Sequence, residues 1–268
     1  MKKIISITLT ILIVFSALAL NVFAAEDSIS VYVTISDKDG NLALVQEKIT
    51  VKDIDNDGAF TINDALYCAH EAKYTGGAAA GYGSETSQWG LSLTKLWGAE
   101  NGGSYGYMLN NASATGLNNA VKDGDQVSAY VYTDLEAWSD TFCYFDAYTK
   151  TAIKDGKITL TLSYVGYDAN WNTVVLPVKD ATITINGKES AYKTDADGKV
   201  TLVMENTGDF VISAKSSTQT LVPPAVKVTV SGNNSPETGD LTAIYAIAPI
   251  FIIFAAVLLN KKKKYYEI

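Results

Sequence analysis

The stretch DIDNDGAFTIND sets Asp53, Asp55 and Asp57 at alternate positions and puts Gly58 directly after them. Carboxylates are hard oxygen donors. A loop that offers oxygen at its first, third and fifth positions can surround a divalent cation, provided that it turns sharply at the sixth. It then needs a backbone carbonyl at the seventh position, a further oxygen at the ninth and a closing carboxylate at the twelfth. Here Ala59 supplies the seventh, Thr61 the ninth and Asp64 the twelfth. The expected metal ligands are therefore Asp53, Asp55, Asp57, Ala59, Thr61 and Asp64, holding one structural calcium ion that ties the end of KITV to the helix that follows. The competing reading is an acidic Asp-Gly turn, like the one at Asp195, Asp197 and Gly198, where only part of the pattern occurs.

Other chemistry is sparse. His70 is the one histidine, and HEAKY lacks the second histidine of H-E-x-x-H, so neither a zinc site nor a nucleophile–base pair is marked. The chain reads as a non-enzyme, with His70 a surface or packed structural residue. Cys68 and Cys143 are either a disulfide of an oxidising compartment or two small apolar thiols, and both readings stand. Trp89, Trp97, Tyr105 and Tyr107 lie close together in sequence beside glycines. They either stack on a sugar or another flat ligand, or fill strand faces and cores.

The elements that must position these residues are mostly strands. SISVYVTISDKDGNLALVQEKITV reads as two strands around a turn at 37–40, and INDALYCAHEAKY as a helix with a small apolar face of Ala65, Leu66, Cys68, Ala69 and Ala72. TGGAAAGYGS reads as the loop that ends it. GLSLTKLWG, YGYMLNN, DQVSAYVYTD and DTFCYFDAY read as strands. From about Lys150 the alternation is purely β, with a hairpin turn expected at Asp195-Ala196-Asp197-Gly198.

The ends carry targeting signals. Residues 1–24 combine Lys2 and Lys3, an apolar run and Val22-Phe23-Ala24, the pattern of a cleaved secretory signal peptide. Residues 241–259 are uncharged and long enough to span a bilayer, and 260–268 form a tail with four consecutive lysines that stays cytoplasmic. Of 21 basic residues, all of them Lys, six lie outside residues 25–238, and of 29 acidic residues two do, Asp240 and Glu267. The body thus carries 15 against 27, a net charge of −12. An acidic body without arginine argues against nucleic acid or anionic lipid as a partner.

Ser235-Pro236-Glu237-Thr238-Gly239, the apolar span and the basic tail occur in that order, which resembles the cell-wall sorting signal of Gram-positive surface proteins in its S-P-x-T-G variant. The resemblance implies cleavage by sortase after Thr238 and covalent attachment to peptidoglycan. The aspartate loop resembles an EF-hand loop, and with Asp at its last position that of dockerins. WGLSLTKLWG, GGSYGYMLNN and VKDGDQVSAYVY resemble the transcobalamin-like C-terminal domain, a small α+β fold found in Gram-positive surface proteins of unknown function. The later strands resemble Ig-like surface modules. The expected chain is mainly β with one α+β domain: a signal peptide (1–24), a transcobalamin-like domain (25–149), an Ig-like β-sandwich (150–231), a linker with the sorting motif (232–240), a span (241–259) and a tail (260–268). The expected function is a wall-anchored ligand-binding or adhesion module on a β stalk, its ligand a glycan, a host protein or a corrinoid. The alternatives are a structural display protein without a ligand and a corrinoid or small-molecule capture protein.

Overall fold

The computed structural model describes residues 28–232 apart from Trp89 and Trp171. The signal peptide, the 235–239 sorting motif, the span, the tail and Trp89 lie outside the described residues.

Alternation builds the first lobe. In strand β1 (Ile29–Ser36), Val31, Val33 and Ile35 are fully buried, and β1 pairs antiparallel with β2 (Leu42–Val51). The turn between them is set by Asp37, whose Oδ1 accepts from the Asp39 and Asn41 amides at 2.9 Å each. Helix α1 (Ile62–Lys73) follows, with Thr61 at its N-cap. Its buried positions are Ile62, Asn63, Asp64, Ala65, Leu66, Ala69 and His70. Cys68 is only half-buried and Ala72 is exposed, so the packed stripe is rotated from the expected small face towards His70. The glycine-rich segment expected as a loop contains a five-residue helix, α2 (Gly77–Gly81). A two-stranded ribbon, β3 (Gly83–Ser87) and β4 (Gly90–Lys95), leads to β5 (Tyr105–Leu109), β6 (Ala112–Ser113) and β7 (Gln126–Val131). The sheet order is β2-β1-β7-β5-β6, with β1 and β7 parallel. The core lies between this sheet and α1.

The second lobe starts at β8 (Thr141–Phe145), whose Cys143 and Phe145 are buried in its core, ahead of the 149/150 boundary read from the sequence. It continues with β9 (Thr149–Ile153), β10 (Gly156–Tyr167), β11 (Thr173–Pro177), β12 (Thr182–Ile185), β13 (Lys188–Lys193), β14 (Lys199–Met204), β15 (Gly208–Lys215), β16 (Leu221–Val222) and β17 (Val226–Ser231). One sheet runs β11-β10-β8-β16 with β14 also on β10, and the other β13-β12-β15-β17-β9. Leu160, Leu162, Ile183, Leu202 and Ile212 fill the space between them. Two packed sheets, with β9 returning parallel to β17, make an Ig-like sandwich. The turn at 195–198 exists, with Asp195 Oδ1 accepting from the Asp197 and Lys199 amides, but β13 and β14 lie in different sheets. It is a sheet-to-sheet connection, not a hairpin.

The lobes meet along one seam. Met108, Tyr130 and Val222 are buried together there, with Tyr132 and Phe142 packed against them. The Tyr130 and Phe142 rings stack at 6.2 Å. A Cβ at position 106 would overlap the Tyr130 ring, so only glycine lets that ring lie across β5. Beside this cluster, β1 and β2 slip register and Gln46 adopts φ +44°. The bulge sends the Gln46 side chain across the seam, where its amide donates to the Ala225 carbonyl at 2.9 Å. Lys227 Nζ returns bonds to the Gln46 carbonyl at 3.3 Å and to the Glu47 carboxylate at 3.2 Å.

Gln46→Ala leaves the Ala225 carbonyl without that partner in a buried seam, at an expected cost of about 1–3 kcal/mol. Calorimetry of the variant is expected to split one unfolding transition into two, one per lobe. Lys227→Met removes a half-exposed ion pair and is expected to cost less than about 1 kcal/mol. A Gln46→Ala protein that still melts in one unshifted transition contradicts the assignment of this bond as the coupling between lobes.

Candidate functional site

The segment between β2 and α1 carries the aspartates. Asp53 accepts from the Asp57 amide at 3.2 Å and the Gly58 amide at 2.9 Å, and Asp57 accepts from the Ala59 amide at 2.8 Å. Asn56 at φ +59° and Gly58 at φ +87° make the sharp reversal. Folded back in this way, the loop brings ligand oxygens of Asp53, Asp55 and Asp57 within 4.8 Å of one another. The Gly58 amide holds the Asp53 carboxyl below its ordinary range. Asp55 is pushed the other way, first by desolvation and then by repulsion from Asp57 and Asp64.

Asp64 is used differently. It is fully buried, and its Oδ2 accepts from the Thr61 amide at 2.8 Å and the Thr61 hydroxyl at 2.6 Å. Its Oδ1 accepts from the Ile54 amide at 3.1 Å, and its own amide donates to Thr61 Oγ1 at 3.3 Å. This reciprocal capping box starts α1. The six expected ligands therefore divide. The Asp53, Asp55 and Asp57 carboxylates meet, Ala59 stands in the same loop with its amide on Asp57, and Thr61 and Asp64 are bonded to each other at the helix end.

Of the expected stacking residues, the described ones, Trp97, Tyr105 and Tyr107, pack against the first core. Trp97 and Tyr107 lie half-buried against the first core. The Tyr105 hydroxyl sits 2.8 Å from the Thr94 carbonyl and 2.9 Å from the Ala99 carbonyl, and accepts from the Asn101 amide at 3.2 Å. Trp97 packs 5.2 Å from the His70 ring and 5.1 Å from Tyr74. His70 is buried. Its Nδ1 donates to the Leu66 carbonyl at 2.7 Å, and its Nε2 accepts from the Trp97 amide at 3.0 Å. Only the neutral Nδ1–H tautomer satisfies both bonds. His70 is thus the packed structural residue of the two readings, and it pins the chain after β4 to α1.

Both cysteines are free thiols. Cys68 packs against the first core and Cys143 lies within the second, where its Sγ donates to the Val222 carbonyl at 3.3 Å. Burial pushes the Cys143 thiol well above its ordinary value. The disulfide alternative is not formed, because the fold assigns the two residues to different hydrophobic cores.

A feature that the sequence reading passed over lies in the connection between lobes. Leu135 and Trp138 are 50% and 66% exposed there. Asp134 accepts from the Glu136 and Ala137 amides and, at 2.6 Å, from the Ser139 hydroxyl, which holds its carboxyl down at about 2. Asp140 accepts from the Thr133 amide and hydroxyl and from the Asp134 amide. The available signal was the pair of aspartates at the two ends of DLEAWSD, a spacing that allows each to bind the backbone of the same loop.

No protein-family model matches this chain, and no curated protein does. Among solved structures it is similar to the N-terminal Ig1-2 module of the Drosophila receptor protein tyrosine phosphatase DLAR, with 11% identity over 57% of this chain and 74% of that one, at a TM-score of 0.24. It is also similar to the D0-D1 domain of intimin, with 20% identity over 55% and 76% at a TM-score of 0.23. A third similarity is to the N-terminal four Ig domains of Dscam1 isoform 9.44, with 10% identity over 41% of this chain at a TM-score of 0.21; the chain spans 23% of that structure. The Ig-like assignment of the second lobe rests on its strand order and packed sheets.

Burial lowers the His70 pKa from the ordinary value of 6.5. The unfolded chain therefore takes up a proton first as pH falls below 6.5, and stability present above that value drains away towards the lower folded value. Urea unfolding measured from about pH 7 to about pH 5 is expected to show falling stability in the wild type. His70→Gln is expected to lower stability at neutral pH and to flatten that slope. An unchanged slope in the variant locates the acid sensitivity elsewhere.

Proposed function

We propose that this chain is a cell-surface protein joined to peptidoglycan by sortase and that its two lobes act as one rigid ligand-binding or adhesion module. The observation that carries this reading is the shared seam. The Gln46–Ala225 bond and the Tyr130, Phe142 and Val222 cluster hold loops of both lobes in fixed relation, as a binding surface requires. The order of sorting pentapeptide, apolar span and lysine tail supports wall attachment. The first lobe, a five-stranded sheet packed against α1 with the short helix α2 and the β3–β4 ribbon beside it, supports the transcobalamin-like resemblance. Wall attachment predicts release by a peptidoglycan hydrolase and not by detergent alone. Thr238→Ala is expected to leave the protein membrane-held or shed. Detergent release of the wild type makes residues 241–259 an ordinary anchor.

The aspartate loop belongs to the same reading as a structural calcium site. Asp53, Asp55 and Asp57 would hold the ion, and the repulsion felt by Asp55 is what a cation relieves. With a dissociation constant of about 10 μM and about 1 mM calcium outside the cell, binding stabilises the first lobe by about 2.7 kcal/mol. Chelator is expected to lower the melting temperature of the coupled transition by several degrees, and Asp57→Ala to abolish that difference. Asp64→Ala is expected to destabilise with or without calcium, because it breaks the capping box. Equal melting with and without calcium, and no heat on titration, returns the loop to an acidic turn.

A further inference from the structure

Three loops converge at one end of the seam. A Cβ at Gly40, in the β1–β2 turn, would stand 3.6 Å from the Thr133 methyl at the start of the connecting loop. The end of that loop is joined to the loop before β16 by the Thr141 amide, which donates to the Thr220 carbonyl at 2.7 Å. Between them lie two neighbouring clefts. One, of about 430 Å³, is lined by Ser139, Thr141 and residues 216–220. The other, of about 610 Å³, runs between the lobes with Asn41 and Leu42 on one wall and Asn186 and Val211 on the other, and shares Ser216, Gln219 and Thr220 with the first.

We propose that this loop end is a binding site for neutral carbohydrate, which names the ligand class for the module reading above and rests on it. A sugar ring has a rim of hydroxyls and an apolar C–H face. The smaller cleft answers the rim, since its lining is hydroxyl and amide only, without an acid or a base. Trp138, one residue from Ser139, answers the face. Its side chain is 66% exposed, and an indole plane offers a large rigid contact area at little entropic cost. The backbone on both sides of it is held by Asp134, which accepts from the Ala137 amide before it and the Ser139 amide after it, and Trp138 itself sits at φ +50°, a region unfavourable to a bulky residue. An exposed aromatic on a loop whose backbone is tied down by Asp134 is pre-organised for a partner. A membrane fits less well, because the body carries −12 and no arginine. A charged glycan fits less well because the smaller cleft provides no counter-charge.

The test is to screen the full chain in detergent on an array of neutral gluco-, galacto-, manno- and N-acetylglucosamine oligosaccharides, and to titrate any hit while tryptophan emission is followed. At least one neutral class is expected to bind, with emission moving to shorter wavelength. Trp138→Ala is expected to weaken binding about tenfold or more with unchanged melting, and Thr218→Ala and Gln219→Ala by several-fold. An array without a hit, or binding that survives Trp138→Ala and Thr218→Ala alike, overturns the inference. Wall attachment is scored separately by hydrolase release, so a failed carbohydrate site and a failed display reading give different results.

Discussion

The bulge at Gln46 is the constraint on which the rest depends. Strand side chains leave alternate faces of the sheet, and Gln46 lies with Thr34 and Ser36 on the face turned towards the second lobe. The slipped register turns it across the seam to the Ala225 carbonyl and aligns the neighbouring Glu47 with Lys227 and Lys73. Two small β-rich lobes, each with a modest core, gain a shared buried surface in this way. The aromatic cluster of Tyr130, Tyr132 and Phe142 then has a fixed place to pack, and the glycine at position 106 has a reason.

Rigidity at the seam sets what the loops can do. The turn after β1, the connecting loop and the segment before β16 come from distant parts of the chain, yet they meet at one end of the interface. Loops anchored in this way lose little freedom when they bind, so affinity can come from few contacts. The connecting loop shows the principle at small scale: two aspartates accept backbone amides and hold Trp138 in the open.

Carboxylates serve three different physical ends in one molecule. Asp64 completes a helix cap in the interior, where every oxygen has a donor. Asp134 and Asp140 hold a surface loop. Asp53, Asp55 and Asp57 gather at an exposed reversal with repulsion left over at Asp55. Net charge alone does not distinguish these roles. The local supply of N–H donors does.

Local chemistry was legible in the sequence. The alternation of ISVYVTIS, the Asp-Gly turns at 37–40 and 195–198 and the helix after Thr61 are decided by neighbours within a few residues, and each forms where the pattern placed it. The meeting of Asp53, Asp55 and Asp57 is equally local. Tertiary structure alone decided which side of α1 packs, because Tyr82 and Trp97 close over His70 and leave Ala72 outside. It also decided that Asp64 serves the helix cap, that β13 and β14 part into different sheets, and that Cys68 and Cys143 lie in separate cores. The exchange of an inward Trp97 for an outward Trp138 belongs here too. Each of these depends on contacts between residues far apart in the chain, and an amino-acid pattern records what a residue prefers, not which distant partner reaches it.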